Sequence, residues 1–256
     1  MRTILAVAFG YPWWLSYGHL ALFSLFAAGV AAGWFRGWSR WTMIVLSAFA
    51  LWAGAASFVA RKFNAAGVVT LPTESFLRGG EGKVLDLGAG TGRSSIMVLK
   101  ARPKATLVAS DLFGESFNAH FGEQGTPQER LMANLRAAGV ADRATVAQAD
   151  MRKLPFGDAS FDAVVSAYAV DHLGRNGSEL ALKEALRVVK PGGDFLLILV
   201  ANDRWMKFSY GPILSHGGTR GAEWWKPRAE GAGFQTLEIG GTPGTLYLLL
   251  RRPGGV

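Results

Sequence analysis

The first 60 residues carry only three charged side chains, Arg2, Arg36 and Arg40, and no acid occurs before Glu74. A stretch so poor in charge cannot make the outer surface of a water-soluble domain. Residues 14–35 (WLSYGHLALFSLFAAGVAAGWF) and 41–60 (WTMIVLSAFALWAGAASFVA) are each long enough, at about 1.5 Å per helical residue, to cross about 30 Å of hydrocarbon. Two transmembrane helices are therefore expected, joined by the short Arg36 to Arg40 connection. Trp13 and Trp14 lie one membrane thickness from Trp34, and Trp38 and Trp41 lie in or beside the connection. The amphipathic indoles thus fall where two interfacial belts belong. Gly29 and Gly33 form a GxxxG opposite a stripe of Ala50, Gly54 and Ser57, small residues that let two helices approach closely in lipid. Tyr17 and His19 are polar groups in or near the first span, at sites that are expensive unless they have a partner. A cleaved signal peptide competes with the first span, but the apolar stretch is too long and a second follows at once. Thr3 to Tyr11 are apolar as well. Pro12 should break any helix that includes them, so they are expected along the membrane interface.

From Arg61 onward the chain carries nearly all of its charge. It is there about as long as one α/β domain, so the expected organisation is a membrane segment, residues 1–60, and a domain, residues 61–256. The net charge of +8 is spread without a basic run or helix face, which argues against nucleic acid. Arg61 and Lys62, just after an apolar span, instead suit anionic lipid headgroups. There is no cysteine, so disulfides, thiolate metal sites and Cys nucleophiles are excluded. The four histidines, His19, His120, His172 and His216, include no pair at metal-ligand spacing, and no metal site is expected.

Beyond Lys62, short apolar runs alternate with helical stretches, the pattern of a mostly parallel, doubly wound sheet. Strands are predicted at 83–87, 105–110, 144–148, 161–167, 195–200, 235–238 and 246–251, and helices near 94–102, 127–138, 178–189 and 221–231. The last two strands, joined through Gly240 to Gly244, should form an antiparallel hairpin at one edge. The most informative stretch is Val84-Leu85-Asp86-Leu87-Gly88-Ala89-Gly90-Thr91-Gly92-Arg93-Ser94, a buried strand running into a glycine turn and a helix. Such glycines let the backbone turn sharply and come close to a nucleotide at the strands' carboxyl ends. A dinucleotide fingerprint would place its third glycine where Arg93 stands, and the carboxylate of Asp86 suits a ligand bearing amines better than a pyrophosphate.

These residues resemble the class I S-adenosylmethionine-dependent methyltransferases, over roughly Glu81 to Leu199. The resemblance implies that Gly88 and Gly90, in the loop closed by Gly92, contact the methionine part of the cofactor, with Asp86 near its amino group. It implies that Asp111 accepts hydrogen bonds from the ribose hydroxyls, that Asp150 accepts from the adenine amine, and that Met151 covers the ring. LPFGDASFDAVVSAYAVDHL and EALRVVKPGGDFLL match the family's fourth strand, following helix and the turn at Lys190 to Gly193.

Tyr168, Asp171 and His172 follow the fourth strand, where the family faces its acceptor. Asp171 or His172 could take a proton from a hydroxyl or thiol and Tyr168 could contact the methyl edge; Asp171 could equally cap a helix and Tyr168 simply pack. The segments after Asp111 and from Ala201 to Trp225 are long and aromatic, as lids or acceptor pockets often are. They could also pack on the membrane. The expected function is methyl transfer, with the domain on the cytoplasmic side, to a small membrane-partitioned acceptor such as a quinol, phenolic lipid or other apolar metabolite. A small thiol or sulfide acceptor, and a non-catalytic methyltransferase-like assembly protein, are the alternatives.

Overall fold

The computed structural model describes residues 7–63, 67, 69–121, 125–211 and 219–254. His216, part of the Ala201 to Trp225 segment and the first part of the Thr3 to Tyr11 stretch lie outside the described residues. Two long helices, α1 (Trp13–Arg36) and α2 (Arg40–Phe63), form the expected hairpin. Gly37 closes α1 in the left-handed conformation and Pro12 sets its start. Gly29 lies against Leu46, Gly33 against Met43 and Trp38, and Gly54 against Phe23, so the small residues face the partner helix.

The rest of the chain builds one seven-stranded sheet in the order β3-β2-β1-β4-β5-β7-β6. Its strands are β1 (Glu81–Leu87), β2 (Lys104–Asp111), β3 (Ala144–Gln148), β4 (Phe161–Ala167), β5 (Val189–Val200), β6 (Gln235–Thr242) and β7 (Thr245–Arg251). Strands β1 to β5 are parallel, while β7 runs antiparallel to β5 and β6. Helices α3 (Arg93–Ala101), α4 (Glu115–Phe121), α5 (Pro127–Ala137), α6 (Gly174–Val188), α7 (Arg204–Tyr210) and α8 (Ala222–Gly231) complete the fold. Helix α5 starts at Pro127 because Thr126 and Glu129 form a reciprocal capping box. The period-two alternation of β1 divides the core. Val84 packs in one layer with Ile96, Leu99 and Leu131. Leu85 and Leu87 pack in the other with Leu182 and Trp225.

Two expected turns are strand instead. Lys190 to Gly193 belong to β5, as an irregularity in its pairing between Phe161 and Ala163 of β4. Strand β6 runs on through Gly240 and Gly241, because a side chain at either would strike Tyr247 or Thr245 across the ladder. The turn itself is Pro243-Gly244.

The segment before the hairpin differs more. Phe9 is only 2% exposed and packs in the α3 and α5 layer. The Ala8 N–H donates to Asn134 Oδ1 (3.0 Å), Asn134 Nδ2 donates back to Ala8 O (3.0 Å) and to Thr91 O (2.9 Å), and Thr91 Oγ1 donates to Phe9 O (2.9 Å). Residues 7–11 are thus a strap across the glycine loop. Asn134→Ala would leave three backbone groups without these partners, so stability should fall by about 1 to 3 kcal/mol. The check is the denaturation midpoint of the detergent-solubilised chain. An unchanged midpoint would mean the strap is not held there.

Candidate active site

One cavity of about 1460 Å³ opens at the carboxyl ends of the parallel strands, where open α/β sheets place their ligands. Single-ligand pockets commonly measure about 300 to 1,000 Å³, so there is room for a nucleoside and a second molecule. Gly88, Gly90, Asp111, Asp150, Met151, Tyr168, Asp171 and His172 all line it.

Strand β1 delivers the chain into the glycine loop with Gly88 at φ +73°, and a Cβ there would overlap Ala169 and come within 2.9 Å of Met151. Gly88 therefore lets the loop lie flat against the β4 end of the site. Gly90 N–H donates to Asp111 Oδ2 (2.9 Å), and Phe113 N–H donates to Oδ1 (3.0 Å). Asp111 is fixed by two backbone donors, and its remaining lone pairs are available on the cavity wall. Gly92 does not line the cavity. Its backbone, at φ +93°, gives room to Leu131, which a Cβ would approach to 2.7 Å, and so it serves helix packing.

Asp86 also lies away from the cavity. Alternation along β1 turns its side chain onto the α3 face, where it is fully buried. Ser94 Oγ donates to both of its oxygens (2.9 and 2.7 Å) and Ser95 Oγ to one (2.6 Å). Burial pushes its carboxyl up to about 6 against the opposing pull of those hydroxyls. Here Asp86 braces the start of α3 through Ser94 and Ser95. Asp150 reaches the cavity, but Arg152 grips its carboxylate with Nε at 2.9 and 3.1 Å and Nη2 at 2.6 Å. That side-chain hydrogen bonding holds Asp150 below the usual carboxylate range.

Tyr168, Asp171 and His172 line the cavity just after β4. Tyr168 sits at φ +55°, a strained conformation for a bulky residue and one that concentrates at functional sites. Its hydroxyl pairs with Thr245 Oγ1 (2.9 Å), and the Arg93 guanidinium stands 5.5 Å from its ring. The phenol is thus tied to β7 and forms a wall. Asp171 lies in a short 3₁₀ turn, Val170–Leu173, and Leu173 starts α6 without a side-chain cap. The capping role considered for Asp171 is not realised at that helix. Its Oδ1 is buried with no hydrogen-bond partner, and burial raises its pKa, opposed by the charge of His172.

The cavity also draws on residues that no local motif marks. Tyr11 of the strap, Trp14 and Leu15 of α1, Arg61 and Lys62 of α2, and Tyr247 of β7 also line it. Of the two long aromatic segments, the first contributes Phe117 and Phe121, whereas the second contributes only Thr219 among its described residues. Among the described residues no cluster of His, Asp and Glu could hold a metal ion.

A sheet of this order, with a glycine loop after β1 and an acid ending β2, has the fold of a class I methyltransferase domain. Residues 84–193 match the family described as a methyltransferase domain. The matched residues are those of a methyltransferase domain and make up less than half of the chain. The ubiquinone/menaquinone biosynthesis C-methyltransferase of Bartonella tribocorum is 36% identical over 121 residues, 47% of this chain and 42% of that protein. The demethylmenaquinone methyltransferase of Mycobacterium tuberculosis is 34% identical over 126 residues, 49% of this chain and 44% of that protein. The chain thus spans less than half the length of these curated relatives. Among solved structures, an O-methyltransferase family protein from Burkholderia thailandensis superposes with a TM-score of 0.55 at 16% identity, covering 85% of this chain and 61% of that one. The [4+2]-cyclase SpnF superposes with a TM-score of 0.54 at 19% identity, covering 71% and 79%. That likeness concerns the fold alone, which by itself does not fix the reaction.

Proposed function

We propose that this protein is a membrane-anchored enzyme that transfers a methyl group from S-adenosylmethionine to a small apolar acceptor delivered by the bilayer, of the quinol or phenolic type. The observation that carries this reading is the continuity of the cavity from Gly88, Gly90 and Asp111 to Trp14, Leu15, Arg61 and Lys62 at the domain-side ends of the two long helices. Those helices expose large apolar side chains along their length, with Leu51 74% and Phe35 87% exposed. Apolar surface of that extent needs a cover, and both helices are long and apolar enough to span. The names of the relatives, which specify quinone-type C-methylation, support the acceptor class.

The residues present fit the cofactor. Gly88 admits a close approach, Asp111 offers acceptors for ribose hydroxyls, and Met151 lies beside Gly88 to cover an adenine ring. S-adenosylmethionine supplies an electrophilic methyl group on a sulfonium, so the protein has chiefly to position and desolvate. Asp171, which lines the cavity and has a buried carboxylate oxygen without a partner, is the proposed base for the acceptor's proton as its carbon or oxygen attacks. Tyr168, held by Thr245, sets the acceptor's plane.

The test uses the full chain in phospholipid vesicles, S-adenosylmethionine labelled in its methyl group, and either a bacterial lipid extract or the matching aqueous extract. The expected result is label passing into an organic-extractable product while S-adenosylhomocysteine accumulates. Label passing only to a water-soluble thiol would replace this acceptor class with the sulfur one. Cofactor binding without turnover in either extract would indicate a non-catalytic protein.

A further inference from the structure

We infer that α7 is a membrane-embedded helix, seated among the acyl chains of the leaflet on the domain's side, where it packs against the cavity-lining residues Leu15 and Val200. This inference rests on the membrane reading above and fixes where the bilayer meets the site.

Helix α7 is held at both ends. At its start Asp203 accepts from Met206 N–H (2.8 Å) and from Gly244 N–H (2.9 Å), tying it to the β6–β7 turn. At its end the Trp52 indole N–H donates to Phe208 O (3.0 Å), and His19 Nε2 lies 2.7 Å from Ser209 O. A carbonyl oxygen only accepts, so Nε2 carries the proton. Tyr210 Oη also donates to Leu15 O (2.6 Å).

The depth of those contacts follows from length. Helices α1 and α2 have 24 residues each, about 36 Å at 1.5 Å per residue, against about 30 Å of hydrocarbon. At most about 6 Å of either helix can project on the domain side, and tilt reduces that. His19 lies about 9 Å in from Trp13, and Trp52 about 16 Å in from Phe63. Both contacts therefore fall inside the hydrocarbon, and the end of α7 must be there with them.

The chemistry at that end agrees. The last carbonyls of a helix have no partner within it, and in lipid no water is present to supply one. Two of those carbonyls, of Phe208 and Ser209, receive their donors from the indole and imidazole of the spans. This gives a reason for a polar His19 within α1. The outer face of α7 suits the same place. Met206, Ser209 and Tyr210 are buried, the Met206 and Tyr210 side chains packing with Ala60, Leu15 and Val200. Trp205 and Phe208 remain 42% and 43% exposed, with Arg204 and Lys207 beside them able to snorkel to headgroups. Leu15 and Val200 also line the cavity.

The cysteine-free chain makes the test direct. Single variants Trp205→Cys, Phe208→Cys, Leu25→Cys, Leu51→Cys and Lys183→Cys are labelled with a fluorophore in phosphatidylcholine and phosphatidylglycerol vesicles. Quenching by acyl-chain bromines and by aqueous iodide is then compared. Positions 205 and 208 should be quenched by the brominated lipid several-fold more than position 183, and less by iodide, as should positions 25 and 51. If 25 and 51 respond to the lipid while 205 and 208 behave like 183, α7 lies in water and the inference is overturned with the hairpin intact. If 25 and 51 also behave like 183, the membrane reading fails and takes the inference with it.

Discussion

Asp111→Ala should raise the dissociation constant for S-adenosylmethionine by about 10²- to 10⁴-fold. The carboxylate sits on the cavity wall at the end of β2, fixed by Gly90 N–H and Phe113 N–H, and each hydrogen bond from a ribose hydroxyl to a charged acceptor contributes about 1.5 to 3 kcal/mol. Two such bonds amount to about 3 to 6 kcal/mol, and about 1.4 kcal/mol corresponds to each tenfold change. The variant also releases Gly90 N–H, so the glycine loop loses part of its own support. Asp111→Asn keeps one acceptor and loses the charge, and its affinity should lie between those of wild type and Ala. Calorimetry with S-adenosylhomocysteine provides the measurement, and near-ultraviolet dichroism verifies that each variant is folded. An affinity unchanged in a folded Asp111→Ala protein would take the ribose away from β2.

The second large effect concerns Asp171. Asp171→Asn should lower the rate of methyl transfer by about 10²- to 10⁴-fold, the usual contribution of a positioned general base, with cofactor affinity altered far less. Its Oδ1 is buried and unpaired, and the residue lines the cavity beside His172. A base must be ionised to act. Burial raises the Asp171 pKa, so the wild-type rate should climb with pH through a value above the ordinary carboxylate range, and Asn should abolish that limb. His172→Ala removes the positive charge that opposes the shift, and should move the limb to still higher pH. Equal turnover and equal pH profiles in wild type and Asp171→Asn would remove this residue from the chemistry. A loss of rate with the pH limb retained would assign it to positioning alone.

Comparison of these two acids with Asp86 and Asp150 shows where reading the chain as text reaches its limit. All four stand at or just beyond strand ends next to small or apolar residues, and their places in the motifs assign three of them to the cofactor and Asp171 to the acceptor. Strand alternation buries Asp86 under Ser94 and Ser95, whereas Asp111 ends its strand facing the cavity. Arg152, two residues after Asp150, holds that carboxylate before any ligand does. Tyr168 lines the cavity just after β4, the position that made it a candidate in the sequence. Its bond to Thr245, 77 positions away, was not legible there.

The sequence by itself determined the elements whose causes are local. Apolar length and interfacial tryptophans specify the two long helices, period-two and helical patterns specify the strands and helices of the sheet domain, and the glycine loop specifies a nucleoside site at its carboxyl edge. Only the tertiary structure decided how these parts meet. It placed Ala8 against Asn134, 126 positions away, His19 against Ser209, 190 away, and Trp52 against Phe208, 156 away. Periodicity and turn chemistry are written within one element, because sterics and backbone hydrogen bonding act between near neighbours. A buried donor finds its acceptor only once packing has brought distant elements together, and that choice joins the hairpin to the sheet domain.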